Sequence, residues 1–266
     1  FIYSANEKIS ALTYCYSDHP FGPWKYGGRI VDNSINWKGG NNHGSVAKVK
    51  DQWYIFYHRK TNDSFNRQAM MEPIEVSFNN DHVVIPMVEM TSQGCDINGL
   101  DAFRKYNIAV CCYNKGFAYI DGSQRRQDGL NPMVNIKSGT VLGFKYFNFG
   151  EKKVRDADQL QLKLNIHLLQ DAIIDIKVAD TEEANKKNQR ITLTKLNLND
   201  YASADGEFQE IILPINSLDT NKELNRFGGL KGKKAVFLSF SGVKGKSIFN
   251  WKELCRLKEM EFLKDV

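Results

Sequence analysis

Leu160-Gln161-Leu162-Lys163-Leu164-Asn165-Ile166 alternates apolar and polar side chains without a break, and Ile174-Asp175-Ile176-Lys177-Val178 does the same. A period of two suits a strand with one buried face and excludes an amphipathic helix, whose apolar positions recur about every 3.6 residues. Ile191-Thr192-Leu193-Thr194, Phe208-Gln209-Glu210-Ile211-Ile212-Leu213 and Ala235-Val236-Phe237-Leu238-Ser239-Phe240 follow at fairly regular spacing. Short alternating strands in such a series predict a β-sandwich. Trp251-Lys252-Glu253-Leu254-Cys255-Arg256-Leu257 also fits an alternating strand, which puts Trp251 in the core and Asn250 on the opposite face.

The first third has another texture. Trp53 to His58 reads as a half-buried strand rich in aromatic and β-branched residues. Gly22-Pro23 and Gly27-Gly28 mark turns, and Pro86 demotes Val83–Val88 to an edge or a bulge. Thr91-Ser92-Gln93-Gly94-Cys95-Asp96-Ile97-Asn98-Gly99 carries the turn-forming residues of a linker. The division expected is 1–93, a linker over 94–114, and a sandwich over 115–266.

Composition excludes some function classes. No apolar run approaches the about 18 residues of a membrane-spanning helix. The formal charge is +5 over 266 residues, with basic and acidic residues interspersed. Lys231-Gly232-Lys233-Lys234 and Lys244-Gly245-Lys246 flank apolar strands as solvated turns, so no long basic stripe points to nucleic acid. The five cysteines leave at least one thiol unpaired, Cys111-Cys112 reads as buried small hydrophobes, and no Cys or His pair has zinc-like spacing. Phe1-Ile2-Tyr3-Ser4 already reads as an internal strand, so the expectation is a processed chain or a fragment.

Two ordered resemblances sharpen this reading. Trp37-Lys38-Gly39-Gly40-Asn41-Asn42-His43-Gly44-Ser45, then Trp53-Tyr54-Ile55-Phe56-Tyr57-His58-Arg59, Phe65-Asn66-Arg67-Gln68 and Glu72-Pro73-Ile74-Glu75 resemble the last blades of glycoside hydrolase family 43. Its members are arabinofuranosidases and xylosidases built on a five-bladed β-propeller. Ile136-Lys137-Ser138-Gly139-Thr140-Val141-Leu142-Gly143-Phe144-Lys145-Tyr146-Phe147 is similar to the start of a family 6 carbohydrate-binding module. Lys233 to Gly242 and Ile248-Phe249-Asn250-Trp251 are similar to its last two strands. The order matches the usual fusion. The resemblance implies an all-β chain: about two blades of a five-bladed β-propeller over 1–93, then a jelly-roll β-sandwich. About 40–45 residues make one four-stranded blade, and closure needs at least about four blades, so these residues close no ring alone.

A glycosidase needs two carboxyl groups across the scissile bond. Among Asp18, Asp32, Asp51, Asp63, Glu72, Glu75, Asp81 and Glu89 none matches the family's catalytic positions, which lie upstream. This chain alone is therefore expected to be inactive and without catalytic residues, and Glu72 reads as a strand-end salt bridge. By resemblance His43 is the axial histidine that contacts an ion-bound water; a hydrogen-bonded core histidine is the plainer alternative. Arg67 matches the arginine that reaches the substrate pocket, against a surface ion pair with Glu72 or Glu75. Trp24 and Trp37 read as core anchors between blades. The resemblance places calcium in a complete propeller, while this chain is expected to hold no cofactor or metal.

In the module Asn250 matches the asparagine that hydrogen-bonds sugar in the cleft, Phe208 stands where a stacking Trp is common, and Asn135 replaces the other aromatic. One weak wall and a few hydrogen bonds predict millimolar affinity or poorer, roughly 4 kcal/mol or less. The module then serves to brace the propeller. The function implied is the C-terminal portion of a family 43-like glycosidase acting on arabinose- and xylose-containing plant cell-wall polysaccharide, secreted, periplasmic or at the cell surface. The alternatives are a non-catalytic carbohydrate-binding or structural protein with a propeller remnant, and one chain of an enzyme whose missing blades come from a partner.

Overall fold

The computed structural model describes residues 1–6, 10–33, 42–62, 66–122, 131–201, 206–243 and 251–265. The chain divides into two compact units, Phe1–Ile97 and Asn98–Val266. It is all-β: a partial propeller followed by a sandwich.

In the first unit β1 (Ile2–Asn6), β2 (Ser10–Tyr16) and β3 (Lys25–Asp32) form one antiparallel sheet. A second contains β4 (Gly44–Val49), β5 (Gln52–Lys60) and β6 (Arg67–Ile74). β7 (Ser77–Asn79) and β8 (His82–Val84) form a hairpin. The described strands close no ring, and among the described residues the two larger sheets have three strands each rather than the four of a full blade. Alternation in β5 buries Ile55, Tyr57 and Arg59 on one face, so the aromatic period read from the sequence holds. Tyr14 ties the hairpin to the first sheet, its hydroxyl donating to the Val83 carbonyl (3.1 Å) and accepting from the Ile85 amide (3.0 Å). Gly44 lets the two sheets approach, since a Cβ there would come within 2.6 Å of both Leu12 Cδ2 and the Phe56 carbonyl oxygen. Trp24 anchors nothing: it is 48% exposed, with its ring 5.9 Å from that of Phe1. Trp37 lies outside the described residues.

The second unit packs two sheets face to face. Its strands are β9 (Leu100–Asp101), β10 (Tyr106–Asn107), β11 (Tyr113–Lys115), β12 (Tyr119–Ile120), β13 (Met133–Ile136), β14 (Val141–Asn148), β15 (Gln161–Leu168), β16 (Ala172–Ala179), β17 (Ile191–Asn197), β18 (Gln209–Pro214), β19 (Lys233–Gly242) and β20 (Cys255–Leu263). One sheet runs β12-β13-β20-β15-β18 with β10 on β20; the other runs β11-β14-β19-β16-β17 with β9 on β14. The inward positions of β15 and β20, among them Leu162, Leu164, Leu257 and Phe262, meet those of β16 and β19 in one apolar core. Fully burying such a side chain contributes about 1.5–3 kcal/mol. The ladder between β15 and β20 shifts register at Asn165/Ile166, so Lys258 and Glu259 both lie outside the core before Met260 returns inward. A bulge of this kind lets the sequence break alternation without turning the strand over.

Two expectations change here. Residues 98–114, read as linker, belong to the sandwich: β9 runs parallel to β14, β10 pairs with β20, β11 pairs with β14, and Ala102, Ile108 and Cys111 are fully buried. Two- and three-residue strands are too short to display alternation. Trp251 is not core. The last strand starts at Cys255, and Trp251 is 66% exposed in the turn before it.

Candidate functional site

The family-like motif of the first unit converges on one end of the sheet β4-β5-β6. Pairing of Gly44 with Tyr57, His58 with Ala69 and Lys60 with Arg67 brings the start of β4, the end of β5 and the start of β6 together. His43 is exposed, and its ring lies 5.5 Å from that of half-buried His58, tilted by 32°. Asn42 beside it is fully buried, with neither its amide nitrogen nor its oxygen partnered among the described residues. Arg59 is buried completely, while Arg67 is exposed and donates from Nη1 to the Asn66 carbonyl (2.9 Å).

Glu72 is no strand-end salt bridge. Its carboxylate is 2% exposed and accepts from Tyr57 Oη (3.1 Å), the Thr91 amide (2.7 Å) and Thr91 Oγ1 (2.6 Å). Burial pushes its pKa up to about 7; the Thr91 and Tyr57 donors pull it down, and the charge of Glu89 raises it further. No cation joins it among the described residues, so burial outweighs the three donors.

The sandwich offers a different surface. Phe117, 60% exposed, and Trp251, 66% exposed, stand with ring centroids 6.2 Å apart and planes at 48°. Asn135, on β13 with a φ of 57°, donates from Nδ2 to the Phe117 carbonyl (2.9 Å) and from its backbone amide to the Glu253 carboxylate. Left-handed backbone suits an asparagine better than a bulky aromatic. Glu253 is held in turn by Arg256, whose Nε and Nη2 donate to it at 3.1 and 3.0 Å. Lys137 Nζ lies 5.8 Å from the Phe117 ring centroid.

Phe208 does not join this surface. It is half-buried, edge-on to His167 at 5.8 Å, with Lys258 Nζ 4.1 Å from its ring centroid. β13 and β18 stand three strand spacings apart, about 14 Å at ~4.8 Å each. Asn250 lies outside the described residues. Sequence reasoning missed Phe117 and misplaced Trp251. The available signal was an aromatic set inside a polar turn, as in Asn114-Lys115-Gly116-Phe117 and Asn250-Trp251-Lys252.

The outer face of the other sheet is covered by the chain itself. Arg190 lies 3.4 Å from the Phe237 ring centroid, Lys145 Nζ donates to Asn185 (2.9 Å), the Tyr146 hydroxyl donates to the Thr181 carbonyl (3.2 Å), and Lys234 pairs with Asp180.

Comparison with known proteins agrees with this architecture. The chain is 35% identical over 181 residues to a xylosidase/arabinosidase of Thermoclostridium stercorarium, covering 56% of this chain and 37% of the relative. It is 42% identical over 52 residues to an arabinoxylan arabinofuranohydrolase of Paenibacillus polymyxa, covering 19% of this chain and 8% of that protein. A crystal structure of a glycoside hydrolase family 43 arabinoxylan arabinofuranohydrolase from Bacillus subtilis, in complex with cellotetraose, matches 98% of this chain and 49% of its own, with a TM-score of 0.52 and 17% identity. That last likeness concerns fold. No family model matches the chain. The chain thus spans well under half the length of the curated relatives it matches.

Proposed function

For a chain similar to the C-terminal part of family 43 xylosidases and arabinosidases, with a family 6-like module behind it, we propose a role in degrading arabinose- and xylose-containing plant polysaccharide outside the cell. The observation that carries the reading is the Phe117–Trp251 pair, two large rings of the sandwich left in water side by side. Isolated exposed aromatics are ordinary, but a pair ringed by hydrogen-bonding groups suits the apolar face of a sugar ring, at about 0.5–1.5 kcal/mol per contact. Asn135 and Lys137 stand beside it as polar neighbours. The weak binding expected from Phe208 and Asn135 is therefore revised to about 0.1–1 mM, roughly 4–5.5 kcal/mol.

The first unit supplies His43, His58 and Arg67 to the glycosidase pocket and no catalytic carboxylate pair. The most deeply buried carboxyl among its described residues, Glu72, spends its oxygens on Tyr57 and Thr91. Nor do its residues suit calcium by themselves: a hard cation takes about six to eight oxygens, His43 and His58 offer nitrogen, and no group of three metal-ligating side chains assembles among the described residues. Ion binding next to His43 would require further chain.

Titrating xylo- and arabinoxylo-oligosaccharides by calorimetry tests the sandwich, with Trp251→Ala expected to weaken binding about tenfold. Unchanged affinity in that variant would remove the pair from the site. Release of arabinose or xylose from aryl glycosides by this chain, lost in Glu72→Gln, would overturn the assignment of no catalytic pair.

A further inference from the structure

We propose that the Phe117–Trp251 surface takes an acidic sugar, a glycan carrying a uronic acid, whose carboxylate is met by Lys137 with Lys115 and Lys252 on the rim. The inference rests on the sugar-binding reading above and concerns which sugar that surface selects. Lys137 Nζ lies over the Phe117 ring, 5.8 Å from its centroid, near the outer reach of a cation–π contact. Lys115 precedes Phe117 by two residues and Lys252 follows Trp251 directly; both are exposed. None of the three lysines makes an ion pair among the described residues.

The described acids nearby are already compensated. Both Glu253 oxygens accept from Arg256, and one also takes the Asn135 amide. The charge of Asp121 also acts on Arg256. Some other lysines of the sandwich find acids: Lys163 meets Glu210 at 2.9 Å, Lys105 meets Glu259 at 3.5 Å, and Lys234 pairs with Asp180, while Lys258 and Lys264 lie over the rings of Phe208 and Phe103. At the aromatic pair, among the described residues, the three lysines stand without an acid partner. A neutral pentose chain would use the rings and leave the ammonium groups idle. A uronic acid uses both, stacking its C–H face on a ring and presenting its carboxylate at the rim. Three lysines at one spot are too few for the long basic stripe of a nucleic-acid groove, which favours the sugar.

The test compares a neutral xylo-oligosaccharide, the same oligosaccharide bearing one glucuronosyl branch, and a single-stranded oligonucleotide, each titrated into the whole chain by calorimetry. At low salt the acidic sugar should bind about three- to tenfold tighter than the neutral one, the size expected of one or two exposed ion pairs. About 0.5 M salt should bring the two within roughly twofold. Lys137→Gln should lower the affinity for the acidic sugar several-fold more than that for the neutral one, while Trp251→Ala weakens both. Equal affinity for the two sugars would overturn the lysine assignment and leave the sugar-binding reading intact. Binding of neither would overturn both. Acidic-sugar binding that survives Trp251→Ala, or an oligonucleotide bound more tightly than either sugar, would show attraction by charge alone and also defeat the proposal.

Discussion

The two units bury different chemistry. The sandwich closes over leucine, isoleucine, valine and phenylalanine from two facing sheets, and among its described residues Asn114, Thr140, Lys145 and Lys234 are the buried polar ones. The propeller part is the smaller unit, yet it buries Thr13, Asn33, Asn42, Arg59, Thr61, Glu72, Thr91 and Gln93. An apolar core loses little when conditions change, because its stability comes from area removed from water. Buried polar groups stabilise only while each keeps its partner and its protonation state. The sandwich should therefore respond to lost volume, and the propeller part to pH and to lost hydrogen bonds.

The largest effect should come from opening the sandwich core. Phe262 is fully buried, with its ring centroid 5.1 Å from that of Phe149 and 6.0 Å from that of Phe147. Phe262→Ala should cost the sandwich about 3–5 kcal/mol in urea unfolding, with little dependence on pH. A loss under about 1 kcal/mol would mean that the two sheets are less firmly joined than their packing implies.

Glu72 sharpens the contrast from the propeller side. Its folded pKa of about 7 lies above the 4.5 of a solvated glutamate, so the folded state holds a proton that the unfolded state releases between those values. That contribution is fully present below about pH 4.5, shrinks as pH rises, and is gone above about pH 7. Thermal scans of the first unit should show stability falling by about 3 kcal/mol over this window, since each pH unit between the two values is worth ~1.4 kcal/mol. Glu72→Gln should flatten the profile, because an amide oxygen can still accept from the Thr91 amide and Tyr57 while its nitrogen donates to the Thr91 hydroxyl. A profile unchanged by the substitution would assign the pH dependence to another group and weaken the comparison.

The smallest effect on stability should come from the surface proposed to bind sugar. With Trp251 66% exposed, Trp251→Ala should change sandwich stability by no more than about 0.5 kcal/mol while weakening sugar binding. A loss of several kcal/mol would show the ring to be a structural element and collapse the distinction between core and binding surface.

Much of the fold was legible because alternation is local. Leu162, Leu164 and Ile166 alternate in sequence and lie on one buried face in the sheet, since each strand residue points opposite to its neighbour whatever else the chain does. The order of propeller-like and module-like motifs was legible for a similar reason: strings such as Trp53 to Arg59 carry their pattern within a few residues. The buried state of Glu72 was not, because it depends on Thr91 returning a backbone amide and a hydroxyl to β6 from outside the strand. Strand pairing also decides the aromatic surface. Phe117 and Trp251 meet because β12 pairs with β13 and β13 with β20, which brings together two turns far apart in the chain. Alternation alone would have put Trp251 inside. Only the tertiary structure starts β20 at Cys255, where Leu254 and Cys255 can both be buried and Glu253 is held by Arg256 and Asn135, leaving the Trp251 ring in solvent.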